Sequence, residues 1–239
     1  MKAATVMYTH TDAKDCWTPF FGQLGKYQDE GRDLYVLVNT NDPDLPKGCK
    51  VITYDEKLPY SDRLASCLEQ MPSPYILFQH EDMFLYYSPD WGKVDLYTDR
   101  LRGVKRSFVK LIRGGVWEGS PDTVYPELRS VDGEADYIFA IQPTIWKTAD
   151  LLKVCRSTRG GSIWEFESKA TESCRRYSIL GYYVDDGGDQ RGSMHWDSLV
   201  YPYVATAVVK GKWNLAEYPK ELGHILDSYG IDPAKRGSR

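Results

Sequence analysis

Apolar residues in the first third of the chain fall in short runs separated by longer amphipathic stretches. "AATVMY" (residues 3–8), "LYVLVN" (34–39), "KVITY" (50–54) and "YILF", which opens a strand over 75–79, have the continuous apolar or β-branched character of strands buried on both faces. Between them, "WTPFFGQLGKYQDEG" (17–31) reads as a helix. "SDRLASCLEQM" (61–71) places Leu64, Cys67, Leu68 and Met71 on one helical face. Strands alternating with helix-length segments predict βαβ units and a mostly parallel sheet.

The second half is less regular. "VDLYTDRLRGVKRS" (94–107) reads as a helix and "FVKLIR" (108–113) as a strand, followed by the loop-like "GGVWEGSPDTVYPE" (114–127). "ADYIFAIQPTIW" (135–146) predicts a strand running into the helix "KTADLLKVC", and "GGSIWEFESKATESCRRY" (160–177) a loop and then a helix. "LVYPYVATAVVKGKW" (199–213) is strand-like, and "YPKELGHILDSYG" is a closing helix ended by Gly230. With no internal repeat, low-complexity tract or linker, the pattern predicts a single α/β domain with helices flanking a central sheet.

Composition narrows the function classes. A chain of 239 residues, 42% hydrophobic and 27% charged, can bury a full core and is not expected to be disordered. The net charge of −4, with basic residues spread along the chain, argues against a nucleic-acid partner. Five cysteines at irregular spacing, with no C-x-x-C pair, predict reduced thiols and a cytoplasmic setting. No secretory leader is expected, and no apolar run approaches the roughly 18 residues of a membrane span. Seven Trp and eighteen Tyr are unusual, and such amphipathic rings serve sugar sites as well as cores.

The chemistry begins at "HED". His80, Glu81 and Asp82 follow a predicted parallel strand at its carboxyl end, where ligands bind in open α/β sheets. Two acids and an imidazole there can hold Mn2+ or Mg2+, which typically takes one or two protein carboxylates plus phosphate oxygens. The competing reading is turn chemistry, with Asp82 capping and Glu81 solvated. In "SIWEFE", Ser162 and Glu165 match a capping box, whereas Glu167 lies about 200° around the helix from Glu165 and shares a face with Trp164. A carboxylate near a helix start can act as a general base towards a hydroxyl, or simply be solvated.

The pieces "PYSDRL", "SPYILFQHEDMFL", "YIFAIQPTIWKTADLL", "SIWEFE" and "YVATAVVKGKW", in that order from about Val6 to Trp213, resemble small GT-A-fold glycosyltransferases. These are the kind found in bacterial polysaccharide-biosynthesis clusters and some large viruses. The resemblance implies a nucleoside-diphosphate-sugar donor, UDP-sugar favoured, and a glycan or other hydroxyl acceptor. The nucleotide would be bound in about 1–115 and the acceptor in about 116–239. "HED" matches a variant D-x-D motif in which Asp82 holds the metal and His80 lies near ribose or metal. A histidine in place of the first aspartate departs from that pattern. Thr9, His10, Thr11, Arg63, Glu81 and Lys212 are the further candidates for the nucleotide, and His195 is a further candidate for the metal. Glu167, in the last position of "WEFE", is implied to be the base, with Glu165 the second candidate. Gln142, Trp146 and Trp164 would line the acceptor side. The implied reaction is a single inverting displacement. The rivals are a sugar nucleotidylyltransferase, disfavoured by the absence of glycine in "YTHTDAKDCW", and a non-catalytic carbohydrate-binding protein, disfavoured by the helical segments.

Overall fold

The structure, a computed structural model, describes residues 1–113, 119–158 and 160–238; residues 114–118, the head of the predicted loop, lie outside them. Eight strands form one sheet: β1 (Ala4–Tyr8), β2 (Leu34–Val38), β3 (Lys50–Thr53), β4 (Tyr75–His80), β5 (Phe108–Lys110), β6 (Leu128–Ser130), β7 (Thr144–Lys147) and β8 (Tyr182–Val184). Their order is β3-β2-β1-β4-β7-β5-β8-β6. The first four are parallel neighbours, β5 pairs with β8 in parallel, and β7 runs antiparallel to both β4 and β5.

Two layers of helix cover the sheet, and strand alternation decides which residues face which layer. Along β1, Ala4, Val6 and Tyr8 join Leu64 and Leu68 of α2 (Tyr60–Leu68), Leu151 of α4 (Thr148–Ser157) and Phe166 of α5 (Ile163–Tyr177). Met7 points the other way, to Trp17 and Phe20 of α1 (Lys14–Tyr27) and Val94 and Tyr97 of α3 (Trp91–Gly103). Both faces being covered is why these strands read as unbroken apolar runs.

Two predicted strands are largely absent. Within 135–146 only Thr144–Trp146 is strand, as the start of β7. Pro143, just before it, has no amide to give a ladder. Upstream, the backbone finds side-chain partners instead: the Phe139 amide donates to Thr171 Oγ1 at 3.2 Å and the Ile141 amide to Glu167 Oε1 at 2.7 Å. The stretch 199–213 is mostly irregular although well buried. It runs along residues 82–86, its amides donating from Val204 to the Phe84 carbonyl at 2.8 Å and from Ala207 to the Asp82 carbonyl at 3.0 Å. It ends in the hairpin β11 (Val208–Val209) and β12 (Lys212–Trp213), after the earlier pair β9 (Gln190–Arg191) and β10 (His195–Trp196). Lys210 and Gly211, both at positive φ, make the two-residue turn. Nor does the predicted closing helix end the fold: α6 (Pro219–Ser228) is followed by α7 (Pro233–Arg236). Among the described residues no helix is long and apolar enough to cross a membrane.

Strand direction fixes where a site can form. Phe78 of β4 pairs with Thr144 of β7, so the end of one strand meets the start of its antiparallel neighbour at the same edge of the sheet. His80–Asp82 and Gln142 are thereby brought to one rim.

Candidate functional site

At that rim lies a cleft of about 350 Å3 whose lining includes Gln142, Glu167, Met194, His195, Tyr203 and Thr206. It gathers three predicted residues, Gln142, Glu167 and His195, from three separate parts of the chain. Glu167 is placed by α5, whose first turn is fixed by a complete capping box between Ser162 and Glu165. Its Oε1 accepts the Ile141 amide, burial raises its proton affinity, and that amide and the nearby Lys110 act in the opposite sense. The carboxylate is therefore anchored by one oxygen in a half-sheltered place, a suitable state for a proton acceptor. His195 is oriented by Glu217, with Nδ1 2.8 Å from Glu217 Oε2. Gln142 donates to the Ile112 carbonyl at 3.4 Å.

Beside the cleft, the segment that carries Ala205 and Thr206 continues to the acid pair. The Ala207 amide donates to the Asp82 carbonyl at 3.0 Å and the Val208 amide to Asp82 Oδ2 at 3.4 Å. Burial raises the proton affinities of both Glu81 and Asp82, and at Glu81 repulsion by Asp82 adds to it. Glu81 Oε2 is buried without a hydrogen-bond partner. Arg236 of α7, held by Asp15 with Nε 2.7 Å from Oδ2 and lying over the Trp213 ring, offsets part of this charge. An under-compensated carboxylate pair with an orphaned oxygen fits a divalent cation, and Asp82 and Glu81 are the residues that would hold it.

His80 is placed differently from a ligand. Its Nε2 lies 2.8 Å from the Tyr60 hydroxyl, its ring packs 5.3 Å from that of Tyr8, and burial takes its pKa down to about 3. It is a neutral, buried imidazole beneath the site. Among the described residues no three His, Cys, Asp or Glu side chains converge as a metal-binding group, so His80, Asp82 and His195 do not form a common ligand set.

The remaining predicted residues separate into edge and core. Thr9 is buried, its Oγ1 accepting from Trp17 Nε1 at 2.8 Å. His10 caps the short turn at Thr11–Ala13 and reaches Glu56, and the Thr11 amide donates to Asn39 Oδ1 at 2.9 Å. Arg63 stands over Tyr54, which stacks on Tyr8 at 5.1 Å with ring planes 2° apart; its guanidinium also donates to the Leu58 and Glu56 carbonyls. Lys212 is exposed on β12. Three expectations need correction. Trp146 is 1% exposed, packed between Phe108 and Phe139, so it belongs to the core and cannot stack on a sugar. Trp164 is 72% exposed and lies outside the cleft. Glu165 is exposed and spends its carboxylate on the Ser162 amide and hydroxyl, at 2.6 and 3.0 Å, so it is a cap and not a base.

Sequence reasoning missed Lys110, Glu217 and the Tyr8–Tyr54–Tyr60 cluster. Only Lys110 left a signal, as the lone cation inside the apolar run "FVKLI".

No protein-family model and no curated protein sequence matches this chain. Solved structures do. S. aureus TarS 1–349 superposes over 99% of this chain and 68% of that one, with a TM-score of 0.55 and 14% identity. The same fragment in complex with UDP-GlcNAc gives 0.56 over 99% of this chain and 69% of that one, at 15% identity. The TarS structure not limited to 1–349 gives 0.52 at 14% identity, over 99% of this chain but 41% of its own length. The fold is shared. At such identities the likeness is one of architecture, the GT-A-like α/β arrangement of a large sheet between helices.

Proposed function

We propose that this protein is a nucleotide-sugar-dependent glycosyltransferase that works by a single inverting displacement. The observation that carries the reading is the cleft that joins Glu167, Gln142 and His195 beside the Asp82-bound segment. The nucleoside diphosphate would lie over the ends of β1 and β4, near His10, Thr11 and Arg63. Binding of UDP-GlcNAc and of UDP by the TarS fragment, which shares the fold, supports a UDP-sugar donor.

Glu167 accepts the proton of an acceptor hydroxyl lying in the cleft. The freed oxygen forms a bond to the anomeric carbon while the bond from that carbon to the diphosphate breaks, and the nucleoside diphosphate leaves with the electron pair. Gln142 and the Glu217-oriented His195 offer hydrogen bonds to neighbouring acceptor hydroxyls. A divalent cation, Mn2+ or Mg2+, held by Asp82 and Glu81 would supply neutralisation of the charge on the leaving diphosphate. The acceptor is a glycan or another hydroxyl compound, and polysaccharide biosynthesis is the setting the sequence resemblance suggests. Five free cysteines accord with a reducing compartment such as the cytoplasm.

The test is thermal stability with UDP, UDP-GlcNAc and other nucleotide sugars, with and without Mn2+, for the wild type and Asp82→Asn. A ligand at a hundredfold excess over its Kd adds about 2.7 kcal/mol of stability. A shift with one nucleotide family, enhanced by Mn2+ and lost in Asp82→Asn, is expected. No shift with any nucleotide would overturn the reading, and release of pyrophosphate from a nucleoside triphosphate with a sugar phosphate would replace it with nucleotidylyl transfer.

A further inference from the structure

Lys110 closes β5, and its side chain is completely buried. Lysine is almost never fully buried without a partner, because an uncompensated ammonium in the interior is costly. Here Nζ donates to the Tyr137 carbonyl at 2.6 Å, and the Phe108 ring lies 6.0 Å away. From α5, Glu167 and Cys174 face it; burial pushes the Cys174 thiol up to about 12, which leaves it neutral.

What Lys110 holds is one wall of the cleft. Segment 137–142 supplies Tyr137, Ala140, Ile141 and Gln142 to the lining and belongs to no strand. It is fastened to its surroundings by side chains: Lys110 at the Tyr137 carbonyl, Thr171 at both polar groups of the Phe139 backbone, and Glu167 at the Ile141 amide. The outermost of these anchors are an ammonium from β5 and a carboxylate from α5, gripping the same short segment from two sides.

We propose that Lys110 is a positioning residue of the cleft: its buried ammonium fixes the 137–142 wall and, as counter-charge to Glu167, keeps that carboxylate ionised and in place. The assignment of Glu167 as the base rests on the glycosyltransferase reading; the coupling of the two groups does not. Removing a nearby cation disfavours the ionised form of a carboxylate. The acidic limb of transfer, set by Glu167, therefore moves to higher pH without Lys110 and stays in place when Arg supplies the charge. Among the described residues, the other titratable groups around Glu167 are Tyr60, beneath the site, Tyr137 and His195, which line the cleft with it, and Asp136, Glu172 and Arg175, which share a neighbouring surface hollow with it.

The experiment is 13C NMR titration of the glutamate carboxyls in the wild type, Lys110→Met and Lys110→Arg, with the Glu167 signal assigned through Glu167→Gln. In Lys110→Met the Glu167 titration should move up by about one unit, a tenfold change in proton affinity, and in Lys110→Arg remain near the wild type. In the wild type alone, the Glu167 carboxyl should show a second inflection where Lys110, whose pKa burial lowers to about 7, releases its proton. That measurement needs no variant and covers the case in which Lys110→Met fails to fold. A Glu167 signal blind to the Lys110 titration, or unmoved in folded Lys110→Met, would overturn the inference. None of these readouts needs turnover. Retained transfer by Glu167→Gln would therefore remove the base assignment and leave the coupling standing, whereas a blind Glu167 with Glu167→Gln inactive would remove the coupling alone.

Discussion

Glu167 Oε1 lies 2.7 Å from the Ile141 amide, while Glu165, two residues earlier on the same helix, has its carboxylate 2.6 Å from the Ser162 amide. One acid thus faces the cleft and the other closes the helix start. Their substitutions should diverge. Glu167→Gln is expected to lower kcat by about 10²–10⁴-fold, the usual worth of a general base, with nucleotide binding kept. Glu165→Gln retains the capping geometry and should leave kcat near the wild type. Steady-state transfer assays on both variants decide; equal losses would break the distinction.

The acid pair links stability to pH. Burial holds protons on Glu81 and Asp82 above the ordinary carboxylate range in the folded chain, so ionising them costs stability. The stabilisation from the protonated forms is fully present below the ordinary carboxylate titration and lost as pH rises through the raised ones. Asp82→Asn should therefore melt higher than the wild type at pH 8, by about 2–4 °C for each kcal/mol recovered, and the gap should close towards pH 4. A gap that does not depend on pH would mean that Arg236 already balances the pair.

Trp146 and Trp164 make a paired test of core against surface. Trp146→Ala empties a site between Phe108 and Phe139 and should cost about 3–5 kcal/mol in denaturant unfolding. Trp164→Ala, at an exposed position, should change stability by less than about 0.5 kcal/mol. It should also leave acceptor KM unchanged, and a large rise in KM would restore Trp164 to the acceptor side.

Arg63 should matter to the nucleotide through geometry. Its guanidinium is fixed over Tyr54 by the Leu58 and Glu56 carbonyls. Arg63→Ala is expected to weaken UDP binding by about tenfold, near the worth of one charge-assisted hydrogen bond. Lysine should not rescue it, because an ammonium lacks the planar fork. Calorimetric titration with UDP distinguishes these outcomes.

The parallel half of the sheet was legible because its strands are buried on both faces: β1 to β4 fall within a residue or two of the apolar runs that announce them. Segments 135–146 and 199–213 were not, because their apolar side chains are buried while their backbones are satisfied by Thr171, Glu167 and residues 82–86. Local periodicity records burial and is silent on whose hydrogen bonds satisfy the chain. The same limit put Trp146 on the acceptor side, since only the neighbouring strand reveals that it sits against Phe108. The capping-box pattern was legible in Ser162 and Glu165 and set Glu167 apart from the cap, but its place on the cleft depends on segment 137–142, which no local pattern announces. Glu217 was not legible, because its relation to His195 spans 22 positions with no motif between.

The reversed strand β7 makes the chain hard to divide. β4 and β5 are both hydrogen-bonded to β7, which comes later in the sequence, and β5 is also bonded to β8. A nick near residue 115 would leave the first fragment with gaps where β7 and β8 belong, and would strand Glu167 on the second. Each fragment would expose unpaired strand edges. Complementation of the two fragments, with sheet and cleft restored together, is then the only route back to a working groove, and a shuffled relative could not inherit one half of this site without the other.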